Sequence, residues 1–238
     1  MTMQHQVIQD NNFAVAMIEE GAYDEASSTL CAAFQAYQNC DCAGGMESAV
    51  CDAGVSSFKP SISLDECMAK GHPMSSSVDP DFPFMYSDAI RISPEVAAAG
   101  ISQHDVTSII LFNLALTHHL SALDSNDPDS DLQKALHVYE HLYTMQQENM
   151  VVGSSGFPSN LMFVLSILNN CGIIHQWRSE AGTSINGEVI AARCFDKLLS
   201  VLTLISDNAQ TTNKNEEVVV RGFYRNVVLN RPPAASAA

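Results

Sequence analysis

A three-residue phrase, Asn followed by an apolar and then a small residue, recurs as Asn12-Phe13-Ala14, Asn113-Leu114-Ala115 and Asn170-Cys171-Gly172. Each copy sits in an apolar stretch of helical period. Each is followed by a second helical stretch with an Ala and, four residues later, a large apolar residue. Such self-similarity predicts a helical repeat, because one hairpin cannot bury its own apolar face and must stack on a neighbour. Within the phrase the apolar and small members are packing positions. The Asn is left over beside the packed stripe, placed to orient a neighbouring helix or to touch the backbone of a ligand.

Nearly half of the 238 residues are apolar, with few aromatics, so a packed helical core is within reach. The formal charge of -16 comes without any Lys/Arg cluster, and Lys59 and Lys70 are the basic residues of the first ninety. A surface of that sign repels phosphate backbones, which excludes direct nucleic-acid binding and leaves solubility or a basic partner as its use. Met1 to Asn12 lacks the basic start of a signal, and no run of eighteen apolar residues suggests a membrane span. Seven cysteines without framework spacing favour free thiols in a reducing compartment, cytoplasm or nucleus.

The periodicity predicts an all-α chain, a single helical-repeat domain over 1–238. Hairpins are expected at 12–37, 104–150 and 158–206, with a closing segment at 216–230 whose residues 218–229 read equally as helix or strand. Gly21 should end the first helix, Asp24 and Asp131 should cap later ones, and Phe13, Met17 and Ile18 should form one apolar stripe. Residues 38–103 form a long insertion, disordered or extended. Within it Asp79 to Ile92 has Pro80, Pro83 and alternating apolar residues, so it reads as a strap laid on the helices. Gly153 to Pro158 and Asp207 to Asn215 read as loops, and Arg231 to Ala238 as a loose tail.

Gly21-Ala22-Tyr23-Asp24-Glu25-Ala26 resembles the turn and second-helix start of a tetratricopeptide repeat. Ala14 fills the small position of helix one, and Ala26, Leu30 and Ala33 those of helix two. The matching sets are Leu111, Leu114, Ala115, Ala135, Tyr139 and Leu142, then Leu168, Cys171, Gly172, Ala191, Phe195 and Leu198. The motif's Trp and closing Pro are missing, its Tyr position is Met17, His118 and His175, and the second and third copies have a longer turn. The chain also resembles a large group of repeat proteins abundant in diatom algae, through "ILFNLALTHHLSAL", "LQKALHVYEHLY", "ILNNCGIIHQW" and "CFDKLLSVL". These resemblances imply stacked antiparallel helix hairpins, a tetratricopeptide-like α-α superhelix, and an interaction role. No activity comes with them.

Several patterns carry candidate chemistry. His137-Val138-Tyr139-Glu140-His141 matches H-x-x-E-H, in which His137 and His141 would share zinc, Glu140 would activate water and Glu216 or Glu217 would complete the set. Against this hydrolase alternative, Tyr139 is the inward residue of its repeat, which turns both His outward. His118 and His175 fall at one repeat position, as pH sensors or, with His119, as ligands, but a core His with one hydrogen bond is the simpler reading. Cys40, Cys42 and Cys51 match no zinc module, and Cys171 and Cys194 read as small core residues. Asp124 to Asp131 lacks the Gly and the bidentate carboxylate of a calcium loop. No G-x-S-x-G, phosphate loop or dinucleotide fingerprint occurs, so no cofactor is expected.

The expected function is therefore a non-catalytic protein–protein interaction scaffold. A groove lined by the first helix of each hairpin would hold a partner segment through Asn11, Asn12, Phe112, Asn113, Leu116, His119, Asn169, Asn170, Ile173 and Gln176. None of these helices supplies the Lys or Arg of a carboxylate clamp, so an apolar, neutral groove is expected. A self-associating structural subunit is the remaining alternative.

Overall fold

A computed structural model describes residues 3–43, 83–152, 160–208 and 214–230. Among these residues the chain is all-helical, with eight helices and no strand: α1 (Met3–Glu19), α2 (Tyr23–Ala43), α3 (Pro94–Ala99), α4 (Gln103–Asp124), α5 (Pro128–Val152), α6 (Leu161–Glu180), α7 (Gly187–Asn208) and α8 (Lys214–Leu229). The closing segment is thus a helix. Residues 83–93 are extended and free of helix, while residues 79–82 of the expected strap lie outside the described residues and residues 39–43 and 94–99 of the expected insertion are helical instead. The predicted loop at 153–158, residues 209–213 of the polar stretch 207–215, the tail 231–238 and Cys51 lie outside the described residues, as do the side chains of Cys40, Cys42, Glu216 and Glu217, while residues 207–208 and 214–215 of that stretch are helical.

Local chemistry sets the ends. At α1 the Ala22 N–H donates to Met17 O at 2.8 Å and the Gly21 N–H to Ile18 O at 3.1 Å, with Gly21 at φ +78°. This pairing spends two of the last carbonyls of the helix and needs a residue that tolerates the left-handed region. Gly182 repeats it after α6, where the Thr183 N–H reaches Arg178 O at 2.9 Å. Ser93 caps α3 by accepting from the Val96 N–H, and Pro94 follows it in the first turn. Ser102 accepts from the Asp105 N–H at 3.0 Å and so opens α4.

Two expected caps fall elsewhere. Helix α2 begins at Tyr23, so Asp24 lies inside its first turn, where its negative charge complements the positive end of the helix dipole. Helix α5 begins at Pro128, whose fixed φ suits a first position, and Asp131 instead pairs with Lys134 at 2.8 Å and accepts from Ser121.

Helices pack in consecutive pairs, α1 with α2, α4 with α5 and α6 with α7, and α2 meets α4 as α5 meets α6. Helix α8 rests mainly on α7 and only lightly on α6. The large and small positions of the three hairpins are buried together: Ala26, Leu30 and Ala33; Ala135, Tyr139 and Leu142; Ala191, Phe195 and Leu198. Helix α4 is long and apolar enough to cross a bilayer, but 72% of that stretch is buried inside the protein, which marks it as the core helix. Phe13 departs from the expected stripe and is 60% exposed. Leu114 and Cys171, which follow the Asn of the phrase on α4 and α6, are buried by contrast.

The small position of α6 is glycine for a steric reason. A Cβ on Gly172 would lie 2.8 Å from the Phe195 ring of α7. Gly172→Ala is therefore expected to destabilise the chain by about 1–3 kcal/mol despite its better helix propensity. Urea unfolding of Gly172→Ala beside Gly172→Ala/Phe195→Leu checks this, since the double variant should recover part of the loss.

Candidate functional site

The asparagines left unexplained by packing all point at one target, the extended segment 83–93. It crosses α1, α4, α6 and α8 as a strap. Asn170 Oδ1 accepts from the Tyr86 N–H at 3.1 Å, while its Nδ2 donates to Tyr86 O at 2.9 Å and to the Tyr139 hydroxyl oxygen at 3.0 Å. Asn113 treats Ile90 the same way, at 2.8 Å and 2.9 Å. Asn12 grips Ile92 at 2.8 Å in both directions. Asn226 accepts from the Phe84 N–H at 2.8 Å and donates to Phe84 O at 2.6 Å.

The geometry follows from the peptide unit. In an extended chain the N–H and C=O of one residue point to the same side and those of the next residue to the other. One side-chain amide, with a donor and an acceptor in one plane, therefore satisfies both groups of a single residue. The gripped residues are Phe84, Tyr86, Ile90 and Ile92, all of one parity. No side-chain identity is read by these bonds, only an extended main chain with its N–H present.

The six asparagines form two equivalent triads. In the first, Asn113 donates to Asn11 Oδ1 at 2.9 Å, and Asn11 donates to Asn12 Oδ1 and to Ile90 O. In the second, Asn226 donates to Asn169 Oδ1 at 2.6 Å, and Asn169 donates to Asn170 Oδ1 and to Phe84 O. Each triad thus combines an Asn-Asn doublet on one helix with a single Asn on the next first helix, and grips residues i and i+2 of the strap. The network fixes every amide orientation, since turning one would face donor to donor. Among the six, Asn12 is partly buried and the rest are fully buried.

The expected open groove needs correction. Asn11, Asn113, Asn169 and Asn170 do line it, but the chain's own strap occupies it. Phe112 is buried at a junction of rings, 6.0 Å from Tyr86, 5.8 Å from Tyr139 and 5.3 Å from Phe163. Leu116, His119 and Ile173 are 0% exposed, one or two turns further along α4 and α6, and belong to the core rather than to a docking face. Gln176 is partly buried near the end of α6 and donates to Glu180 at 2.9 Å. The equivalence of copies also changes. Asn12 and Asn170 share one role, whereas Asn113 matches Asn226, which the phrase misses because Val228 is not small. The doublets Asn11-Asn12 and Asn169-Asn170 were the available signal.

The zinc pattern is not assembled. His137 and His141 are exposed, and Glu140 turns instead to His175 Nε2 at 3.4 Å, a bond that lowers its carboxyl pKa. An open cleft of about 570 Å³ between α5, α6 and α7 brings Glu140 and His175 near Cys171 and Cys194. Burial pushes both thiols up, Cys194 to about 11, so they stand as protonated packing groups. Among the described residues no three His, Cys, Asp or Glu gather as a metal would need. His118 faces Asp131 at 3.9 Å, and burial lowers its pKa, with Lys134 adding to the effect.

His119 is fully buried against the edges of Tyr139 and Trp177, and burial drives its pKa down to about 3. Between that value and the ordinary 6.5 the unfolded chain binds a proton that the folded chain does not. Stability contributed by neutral His119 is thus complete above about pH 6.5 and is lost as pH falls toward 3. His119→Phe is expected to flatten this acid limb, measurable as a smaller drop in urea midpoint between pH 7 and pH 4.5 than in the unaltered chain.

Comparison of the chain with protein-family models, with curated proteins and with solved structures returns no match.

Proposed function

We propose that the chain is a tetratricopeptide-like stack of helix hairpins acting as a non-catalytic protein–protein interaction scaffold. Its first helices form a groove that reads the main chain of an extended segment. One observation carries this reading: two asparagine triads hold an extended segment by its backbone, bond for bond in the same way. Asparagine is a poor choice for an apolar helix interior, since it competes for backbone bonds and leaves buried amide groups to satisfy. Six of them directed at one segment therefore amount to a recognition device. The free thiols of Cys31, Cys171 and Cys194 support a reducing compartment such as cytoplasm or nucleus.

The test is to pan a random peptide library on the full chain carrying Tyr86→Gly, which loosens the strap yet keeps its N–H. Enriched peptides should compete with one another and lose binding when Asn170→Ala is added. No enrichment over that second variant would sink the scaffold reading.

A further inference from the structure

We infer that the Phe84/Tyr86 half of the strap is an exchangeable occupant, displaced from the Asn169-Asn170-Asn226 triad by a partner's extended segment of the form aromatic-x-aromatic. The inference rests on the scaffold reading above and names the ligand class of that groove.

The two halves of the strap are held by equal chemistry but unequal surroundings. Ile90 and Ile92 are 2% and 1% exposed, and Ser93 directly caps α3, so that half is tied to a capped helix. Its triad stands on α1 and α4, and α4 is braced by both α2 and α5. In the other half Tyr86 is buried at 4% but Phe84 is only partly buried, and its Asn226 stands on α8, which has the lightest anchorage of the four gripping helices to its neighbours. Ser87 to Ala89 join the halves. Local opening with low free energy is expected where few apolar contacts support a segment, and that is the Phe84 end.

The side-chain preference follows from what the two rings touch. Phe84 lies against the bare Cα of Gly222, where a Cβ would overlap its ring, and meets Phe223 edge-on at 5.6 Å. Tyr86 meets Phe112 edge-on at 6.0 Å. A flat ring at the first position and a ring at the third satisfy both, and the residue between, Met85, is partly buried against the core and favours an apolar side chain there. The triad needs an N–H at each gripped residue, so proline is excluded there and tolerated just before, as Pro83 is. The formal charge of -16 adds a bias toward neutral or basic flanks.

The experiment uses the full chain and a fluorescent peptide copy of residues 83–88. Amide hydrogen exchange should run at least about tenfold faster at Phe84 and Tyr86 than at Ile90 and Ile92. The peptide should bind saturably, about tenfold more tightly to the Tyr86→Gly chain, and a peptide carrying Tyr86→Pro should not bind. That last arm alters no residue of the groove, so a folding defect cannot mimic it. A single exchange rate at all four amides overturns the inference, as does equal binding of the proline peptide. A dimer formed with rising concentration as the strap opens also overturns it, assigning the groove to a second copy. If the rates are equal yet the Tyr86→Gly chain binds peptide, the scaffold reading stands without exchange. If no chain binds peptide, both readings fall.

Discussion

Asn170→Ala is expected to lower the unfolding free energy by about 3–5 kcal/mol, more than most single changes outside an apolar core. Removing the amide takes from the buried Tyr86 N–H and C=O the bonds that Asn170 makes to both, and takes a bond from the Tyr139 hydroxyl. Each buried backbone group left without a partner costs about 1–3 kcal/mol, far above the net gain of forming one ordinary hydrogen bond. Asn170→Asp should not rescue the site. One oxygen would still accept from the Tyr86 N–H, but the other would face Tyr86 O with nothing to donate, and a charge would be buried. Asn12→Ala serves as the graded control, because Asn12 is only partly buried and water can take the place of its missing amide. Urea unfolding followed by far-ultraviolet circular dichroism measures the order, Asn170→Ala well below Asn12→Ala. Equal, small losses would mean the strap bonds exchange freely with water.

Phe112→Ala is the second large effect, with an expected loss of about 3–5 kcal/mol. The ring is 0% exposed and touches the strap through Tyr86, the second helix of its hairpin through Tyr139 and the next hairpin through Phe163. Its removal leaves a cavity where these three elements meet, and each edge-on ring pair adds about 0.5–1.5 kcal/mol beyond area alone. Phe112→Leu keeps most of the volume and should cost about half as much or less. The measurement is the same unfolding curve, read together with near-ultraviolet circular dichroism. That signal should fall in Phe112→Ala even where helicity persists, because Tyr86 and Tyr139 lose their fixed partner.

The parts legible in the sequence were those with a period. Helices at Ile109, Phe112, Leu116 and Leu120 announce themselves, as do the small residues at Ala26 and Ala135. The alternation of Met85, Ile90 and Ile92 announced an extended strap. What stayed hidden was where the strap goes. Its bonds are to backbone groups, and backbone groups leave no mark in sequence. Only the odd presence of asparagine in apolar helices hinted at them. Phe112, Leu116 and Ile173 were read as groove residues because an apolar face looks the same whether a partner or the chain's own core covers it. Asn226 escaped because its neighbours broke the phrase, although its amide does the same work as that of Asn113.

The strap runs against the order of the helices, with Ile92 at α1, Ile90 at α4, Tyr86 at α6 and Phe84 at α8. A stack of hairpins ordinarily frays from its ends, because each unit senses only its neighbours. Here one segment joins α1 to α8, so helices far apart in the sequence depend on one another through it. During synthesis the chain leaves the ribosome from its N-terminus. When the strap emerges, α1 alone is waiting for it, and the remaining grips form only as α4, α6 and finally α8 are made. The seam therefore closes from Ile92 backward, and Phe84, the earliest of the four to be synthesised, is the last to be seated.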